Sequence, residues 1–310
     1  MRRARVYELG KELQAGLIKL RSIVSQYPHT LEAVATWCYV QIAQPVLDAT
    51  EGRRACWAIG VLNTAVWVLW RFPRMQPMMN RHFTHNPLSG RSYTMLTSVF
   101  SHESLLHLLC NSLALAGFGS AACHYLTQAQ AENPNGIREA SVKWHFIGFY
   151  ISAGIFASLV SHVAVARFLY PKLVKRLASS SAKAPSAVSV ASVAAANTGK
   201  NTARSAISSS LGASGAVYAC LTITALAFPD TEVALLFLPT FLIPTAWGVG
   251  GLVTLDIIGV LRGWKILDHW AHLGGAAFGA WYYLCGPKLW NELRLVNSAV
   301  ASPGTLKKDS

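Results

Sequence analysis

Apolar residues along the chain fall into six blocks, each about 17 to 25 residues long, which is the length an α-helix needs to cross a bilayer. The pattern predicts an all-α membrane protein with six spanning helices, at residues 56–72, 103–122, 144–166, 211–228, 245–261 and 268–287. A further apolar stretch, 233–244, is short and contains Pro239 and Pro244. We expect a membrane-inserted loop or the start of a helix there, because proline breaks a regular helix.

Two segments before the first block also show a helical pattern. Residues 4–24 mix basic, acidic and apolar positions and predict an amphipathic helix beside the membrane. Residues 31–46 are apolar enough to suggest a seventh span, but their polar positions favour a helix on the membrane surface. Those positions are Glu32, Gln41 and Gln44.

The stretch 171–210 is rich in Ser, Ala, Lys and Asn and has no pattern of large apolar residues. Such a composition cannot bury enough apolar surface to fold, so it predicts a disordered insert. The predicted division of the chain is an N-terminal juxtamembrane region at 1–51, a core at 52–290 that contains this insert, and a polar tail at 291–310.

Composition supports the membrane interpretation and narrows the partners. Hydrophobic residues make up 52% and charged residues 13% of the chain, whereas soluble domains carry about 25% charged residues. The net charge of +13 would suit nucleic acid, but basic residues such as Arg53, Arg54, Arg71 and Arg74 flank an apolar block. That placement favours anionic lipid headgroups, and we expect no nucleic-acid partner.

Polar side chains inside spanning helices are costly and usually mark a functional site. The second, fourth and sixth predicted helices begin at the same membrane face, which we call face B; the opposite face is face A. His107 and Asn111 lie in the first half of the second helix, Ser214 in the first turn of the fourth, and His272 near the second turn of the sixth. These residues are therefore predicted to lie at a similar shallow depth below face B.

Spacing within the helices sharpens this prediction. His107 and Asn111 are four residues apart, as are Ser214 and Tyr218, so each pair shares one helix face. Small residues allow two helices to approach closely, and a Ser–His hydrogen bond between helices needs such an approach. The glycines predicted to serve it are Gly212 and Gly215 beside the serine, and Gly275 and Gly279 after the histidine.

These residue types suit nucleophilic catalysis. A serine hydroxyl becomes a useful nucleophile when a base such as His272 takes its proton. The Ser214 N–H, the Asn111 amide and His107 are candidate donors to a developing oxyanion. We expect no carboxylate beside His272, and we expect the Tyr218 ring to hold it by stacking, which gives a Ser–His dyad. Each residue alone has a structural interpretation, as packing serine, interfacial histidine or interhelical asparagine; their joint placement favours catalysis.

In order and spacing the chain resembles the rhomboid family of intramembrane proteases. The residues that carry the resemblance are His107 and Asn111, then Gly212, Ser214 and Gly215, then Ala271, His272, Gly275 and Gly279. The resemblance implies a six-helix core with a Ser214–His272 dyad open to face B. It also implies an oxyanion hole with Asn111 and His107, and Tyr218 packed on His272.

Other stretches are similar to the mitochondrial presenilin-associated rhomboid-like branch of that family. They are RHFTHNP at 81–87, LGASGA at 211–216 and GWKILDHWAHLGGAAFG at 263–279. The likeness covers roughly residues 52–290. It implies a multi-pass protein of the inner mitochondrial membrane whose partners are membrane lipid and transmembrane protein substrates, and it implies no cofactor or metal.

Other classes fit the residues less well. His102, Glu103 and His107 form an HExxxH pattern, in which the two histidines would lie about 140° apart on one helix and could not share a zinc ion. A soluble hydrolase is disfavoured because Ala216 replaces the last glycine of GxSxG. A channel would spread polar residues through the membrane depth. A rhomboid-like protein that binds membrane proteins without cutting them stays open as the alternative function.

Overall fold

Helices make up most of the computed structural model, which describes residues 2–133, 139–181, 209–235, 238–264 and 266–301. In chain order they are α1 (Arg2–Val24), α2 (His29–Asp48), α3 (Glu51–Leu69), α4 (Gln76–His82), α5 (Thr94–Thr97), α6 (Leu105–Ala114), α7 (Ser120–Ala131), α8 (Lys143–Ala164), α9 (Tyr170–Ser181), α10 (Ser214–Ala227), α11 (Thr245–Arg262) and α12 (His269–Ala301). Two π-helical turns, Leu115–Gly119 and Val165–Leu169, join α6 to α7 and α8 to α9.

Local chemistry fixes several helix ends. The Thr50 hydroxyl accepts a hydrogen bond from the Arg53 N–H at 3.2 Å, and the Ser104 hydroxyl accepts one from the His107 N–H at 3.1 Å. Both residues are N-caps, which satisfy N–H groups that have no partner within the helix. Gly263 ends α11 with φ +71°, a left-handed conformation that favours glycine. The Ser104 cap places the start of α6 and therefore the His107 side chain.

Every one of the six predicted apolar blocks contains helix in the described residues, but not all of these helices are long enough to span. Leu105–Ala131, Lys143–Lys175 and Thr245–Arg262 are long and apolar enough to cross a membrane. A fourth span results if Glu51–Leu69 and Pro73–His82, which are bent by 97°, are counted together. α10 has only 14 residues. The described part of the chain is thus a mostly helical bundle with three or four candidate spans, and the count of six stays a prediction.

The core is centred on α10, which is buried on all sides. Every residue from Gly215 to Ala225 is buried, as is expected for a helix that is apolar around its whole circumference. It packs most extensively against α12 and also against α8. Because Ser214 opens this central helix, the packing of α10 determines where the serine lies.

The segment 233–244 differs from both predicted alternatives. Strands β1 (Glu232–Leu235) and β2 (Leu238–Pro244) form an antiparallel hairpin in which Val233 pairs with Ile243. The all-α prediction is therefore wrong here. Pro239 and Pro244 exclude a regular helix, and a two-stranded sheet tolerates proline because each strand has a free edge.

Other predicted segments also differ from expectation. α9 covers Tyr170–Ser181, so the first part of the insert predicted to be disordered is helical, while residues 182–208 lie outside the described residues. α12 continues to Ala301, so the predicted tail begins inside a helix. α2 has no buried residue and is not among the candidate spans of the described residues, and its place on the membrane surface stays a prediction. The proposed region boundaries at 51 and 290 stay predictions.

Candidate active site

The structure brings Ser214 and His272 together from two different helices. Ser214 is the first residue of α10, and its hydroxyl donates to His272 Nε2 at 2.9 Å. The His272 ring is stacked on the ring of Tyr218, with 4.3 Å between the ring centroids and an angle of 12° between the planes. His272 is only 6% exposed. A hydroxyl and an imidazole at this distance have the geometry that nucleophile activation requires.

Small residues let α10 and α12 touch backbone to backbone. A Cβ at Gly275 would overlap the carbonyl oxygen of Gly215, and a Cβ at Gly279 would lie 2.6 Å from that of Ala219. Gly215 in turn faces Ala157 of α8 and lies against the Ala271 carbonyl oxygen. The contact between the helices is therefore possible only with glycine at these positions.

Gly212 shapes the segment that leads into Ser214. Its φ of +133° is strained for any residue with a side chain. Its N–H donates to the Ser98 carbonyl at 2.9 Å. A Cβ at this position would lie 2.8 Å from Cε1 and 3.0 Å from Nε2 of His107, so the His107 ring packs directly on the Gly212 backbone. His107 is thus a near neighbour of the nucleophile.

Asn111 lies one turn further along α6. It is 7% exposed, and its Nδ2 donates to the His107 carbonyl at 3.0 Å. The amide has a second hydrogen that this bond does not use. Among the described residues no hydrogen bond joins Asn111 to Ser214, so its predicted role as an oxyanion donor stays a prediction.

A carboxylate lies beside His272, contrary to the prediction from the sequence. Asp256 Oδ1 accepts hydrogen bonds from Nδ1 of His272 at 3.1 Å and from Nδ1 of His269 at 2.6 Å. Asp256 is 2% exposed. With the proton of His272 held on Nδ1, the lone pair of Nε2 faces the Ser214 hydroxyl, as a general base requires. The expectation of a base held by Tyr218 stacking without a carboxylate is therefore wrong.

The sequence did contain a signal for Asp256. It is the one acidic residue within the apolar block 245–261, and an ionisable residue there is costly unless it has a function or a partner. Its two histidine partners belong to α12, and His272 follows Asp256 by sixteen residues in the chain. Gly259, one turn after Asp256, lies against the His269 ring, where a Cβ would approach Cε1 to 2.5 Å. Asp256 and Gly259 together pack α11 against the start of α12.

The geometry of His102 and His107 also differs from the predicted one. The HExxxH pattern predicts both histidines on one helix, but α6 begins at Leu105, after His102. Their rings meet edge to face with centroids 5.1 Å apart. In the described part of the chain no three His, Cys, Asp or Glu side chains converge as metal ligands would.

The structure thus joins a half-buried serine to a buried histidine between apolar helices. The Rhomboid domain family matches residues 89–288, more than half of the chain, so the chain belongs to the rhomboid family. With its candidate spans and the mitochondrial relatives described next, it is a multi-pass membrane protein of the mitochondrial branch.

Three relatives illustrate that branch. The chain is 31% identical over 259 residues to the human "Presenilin-associated rhomboid-like protein, mitochondrial". The alignment covers 80% of this chain and 55% of the relative. The mouse protein of the same name is 31% identical over 257 residues, covering 79% and 55%. The yeast "Rhomboid protein 1, mitochondrial" is 26% identical over 282 residues, covering 88% and 63%. The chain spans about half the length of the mammalian relatives.

Proposed function

We propose that the chain is an intramembrane serine endopeptidase that cleaves membrane-anchored proteins in or near their transmembrane segments. The observation that supports this most strongly is the 2.9 Å hydrogen bond from the Ser214 hydroxyl to His272 Nε2. Membership of the rhomboid family and the bundle of apolar helices support it further. The site of action we infer is the inner mitochondrial membrane.

The first half of the reaction forms an acyl-enzyme. The Ser214 oxygen attacks the scissile carbonyl carbon, and its proton moves to His272 Nε2. The resulting imidazolium is stabilised by the Asp256 carboxylate at Nδ1. When the tetrahedral intermediate collapses, His272 gives the proton to the leaving amine and the peptide C–N bond breaks. Water then repeats the sequence at the acyl ester and releases Ser214.

The oxyanion of each tetrahedral intermediate needs hydrogen-bond donors. Ser214 begins α10, and N–H groups in the first turn of a helix have no intrahelical partner. The Ser214 N–H, the second Asn111 amide hydrogen and a His107 ring N–H are the donors we propose. The packing of His107 on Gly212 supports its assignment.

Substrate binding follows from the depth of the site. A transmembrane helix has its peptide groups hydrogen-bonded internally, so a substrate must unwind locally to present one bond to Ser214. Ser214 is flanked by Gly212, Ala213 and Gly215, and the Gly212 backbone is covered by the His107 ring, so the surroundings of the nucleophile are crowded. We expect small substrate residues next to the cut, and we expect water to enter from face B.

Cleavage of a membrane-anchored model substrate in detergent, with a metal chelator present, tests the proposal. The wild type should cleave, whereas Ser214→Ala and His272→Ala should lose at least about 1,000-fold in kcat, because a dyad fails when either member is removed. Ser120→Ala and His124→Ala are matched controls on α7 and should keep full activity. Equal cleavage by wild type and Ser214→Ala would overturn the proposal. Substrate binding without cleavage by the wild type would favour a non-catalytic binder of membrane proteins.

A further inference from the structure

Asp268 lies directly before α12 and four residues before His272. Its Oδ1 accepts from the Ala271 N–H at 3.0 Å, and its backbone carbonyl accepts from the His272 N–H at 3.1 Å. The side-chain bond makes Asp268 the N-cap of α12. One regular helical turn therefore fixes the position of His272 relative to Asp268.

Two serines from other elements bind the same carboxylate. The Ser210 hydroxyl donates to Asp268 Oδ2 at 2.5 Å, and the Ser161 hydroxyl lies 2.7 and 2.9 Å from the two carboxylate oxygens. Ser161 belongs to α8 and is buried, whereas Ser210 precedes α10 by four residues. Hydrogen bonds to an ionised carboxylate are stronger than neutral ones. We call Asp268, Ser161 and Ser210 the Asp268 cluster.

The segment from Ser210 to Ala213 depends on contacts from outside itself. It is not helical, and Gly212 within it is in a strained conformation. Ser210 exchanges two backbone hydrogen bonds of 2.9 Å with His85, and Gly212 bonds to the Ser98 carbonyl. The Ser210 hydroxyl donates to Asp268, the N-cap of α12, and so connects this segment to the helix that contains His272. The position of Ser214 relative to His272 thus rests partly on one side-chain hydrogen bond.

We propose that Asp268 is a positioning residue for the reaction, which sets the distance between Ser214 and His272 through its bond to Ser210. This inference rests on the proposed function. Ser210 lies four residues before Ser214, and Asp268 lies four residues before His272. The hydrogen bond between Ser210 and Asp268 therefore links the segment that leads into α10 to the start of α12. A displacement of about 1 Å between reacting groups can cost about 100-fold in rate.

Capping of α12 alone would not require this arrangement. An N-cap needs only the bond from Asp268 to the Ala271 N–H, and asparagine serves at such a position about as well as aspartate. The Ser210 bond adds nothing to the cap of α12, but it joins α12 to the nucleophile segment. The two roles therefore predict different effects when the serines are changed one at a time.

Comparison of Ser210→Ala with Ser161→Ala provides the test, since each variant removes one hydroxyl from the same carboxylate. We expect Ser210→Ala to lower kcat about 10- to 100-fold with KM unchanged. Ser161→Ala should lower the melting temperature and leave kcat within about threefold of the wild type. Ser210→Thr, which keeps a hydroxyl, should restore most of the rate.

The double variant Ser210→Ala/Asp268→Ala adds a second criterion. It should cleave no more slowly than Asp268→Ala alone, because Asp268→Ala already removes the acceptor of the Ser210 hydroxyl. The proposal fails if wild type cleaves and Ser210→Ala matches its kcat, if both serine variants lose kcat equally, or if the double variant shows additive losses. Absence of cleavage by the wild type would instead overturn the proposed function, and this inference with it.

Discussion

Both ends of the bundle contain carboxylates that are at least partly buried, but these carboxylates have different partners. At face A, Glu139 accepts from Trp290 Nε1 at 2.8 Å and lies 3.4 Å from an Arg294 nitrogen, and Glu51 pairs with Arg5 at 2.7 Å. At face B, Asp256 binds two histidines and Asp268 binds two serines. Each acid at face A has an arginine among its partners, beside Ser141 for Glu51 and His145 for Glu139. In the described part of the chain no arginine binds Asp256 or Asp268, whose side-chain partners include histidines and serines.

This difference separates an end that holds the fold from the end at which we propose catalysis. Burial alone would raise the pKa of Glu139, but hydrogen bonds from His145 and Trp290 and the Arg294 charge hold that pKa below its usual range. The carboxylate at face A is thus fixed as an anion next to cations. At face B the Asp256 carboxylate instead orients imidazole rings. The predictions below follow from this contrast, from the largest expected effect to the smallest.

Asp256→Asn should lower kcat about 100- to 10,000-fold with little change in KM. The asparagine amide can donate to His272 Nδ1, which moves the ring proton to Nε2 and leaves no lone pair facing Ser214. Single-turnover cleavage would measure the rate, and thermal unfolding would show whether the fold is kept. Asp230→Asn, in an exposed turn before β1, is the matched control and should cleave like wild type. A rate for Asp256→Asn within threefold of wild type would refute the role of Asp256.

Acidification should destabilise face B before face A. Burial lowers the pKa of His85 to about 4 and that of His102 to about 4, against about 6.5 in an unfolded chain. Below pH 6.5 the folded state binds fewer protons than the unfolded state. The stabilising contribution of each neutral histidine is therefore fully present above pH 6.5 and is lost as the pH falls towards 4. By pH 4.5 each histidine should lower the free energy of unfolding by about 2 to 3 kcal/mol. The Glu139 contribution should persist until the pH falls below the unfolded value of about 4.3.

Unfolding in detergent at pH 7.5, 6 and 4.5 would measure this dependence. His102→Asn, which removes one titrating group, should reduce the loss of stability between pH 6.5 and 4.5. A profile that is flat in this window, or one that His102→Asn leaves unchanged, would contradict the assignment of neutral buried histidines to face B.

Glu139→Gln should lower the free energy of unfolding by about 1 to 3 kcal/mol and leave kcat unchanged. The amide cannot compensate the Arg294 charge, although it can still accept from Trp290. Denaturant unfolding and cleavage, measured on the same preparation, would separate the two effects. A loss of kcat larger than the loss of folded protein would mean that face A also takes part in catalysis.

The sequence predicted those parts of the site that depend on periodicity within one helix. Helical spacing placed Tyr218 one turn after Ser214 and grouped His272 with Gly275, and the structure brings these residues together. Asp256 was missed because its partners lie in another helix, and spacing within one helix carries no information about contacts between helices. The β1–β2 hairpin was missed because a short apolar run with prolines reads equally well as a loop.

Reaction of the purified protein with a fluorophosphonate, followed by peptide mapping, tests the central claim most directly. Such a reagent phosphonylates a serine whose hydroxyl is activated by a base. We expect modification at Ser214, with no reaction at that serine in His272→Ala and greatly slowed reaction in Asp256→Asn. An unmodified Ser214 in folded wild type, or equal modification in the presence and absence of His272, would contradict the claim that this pair is catalytic.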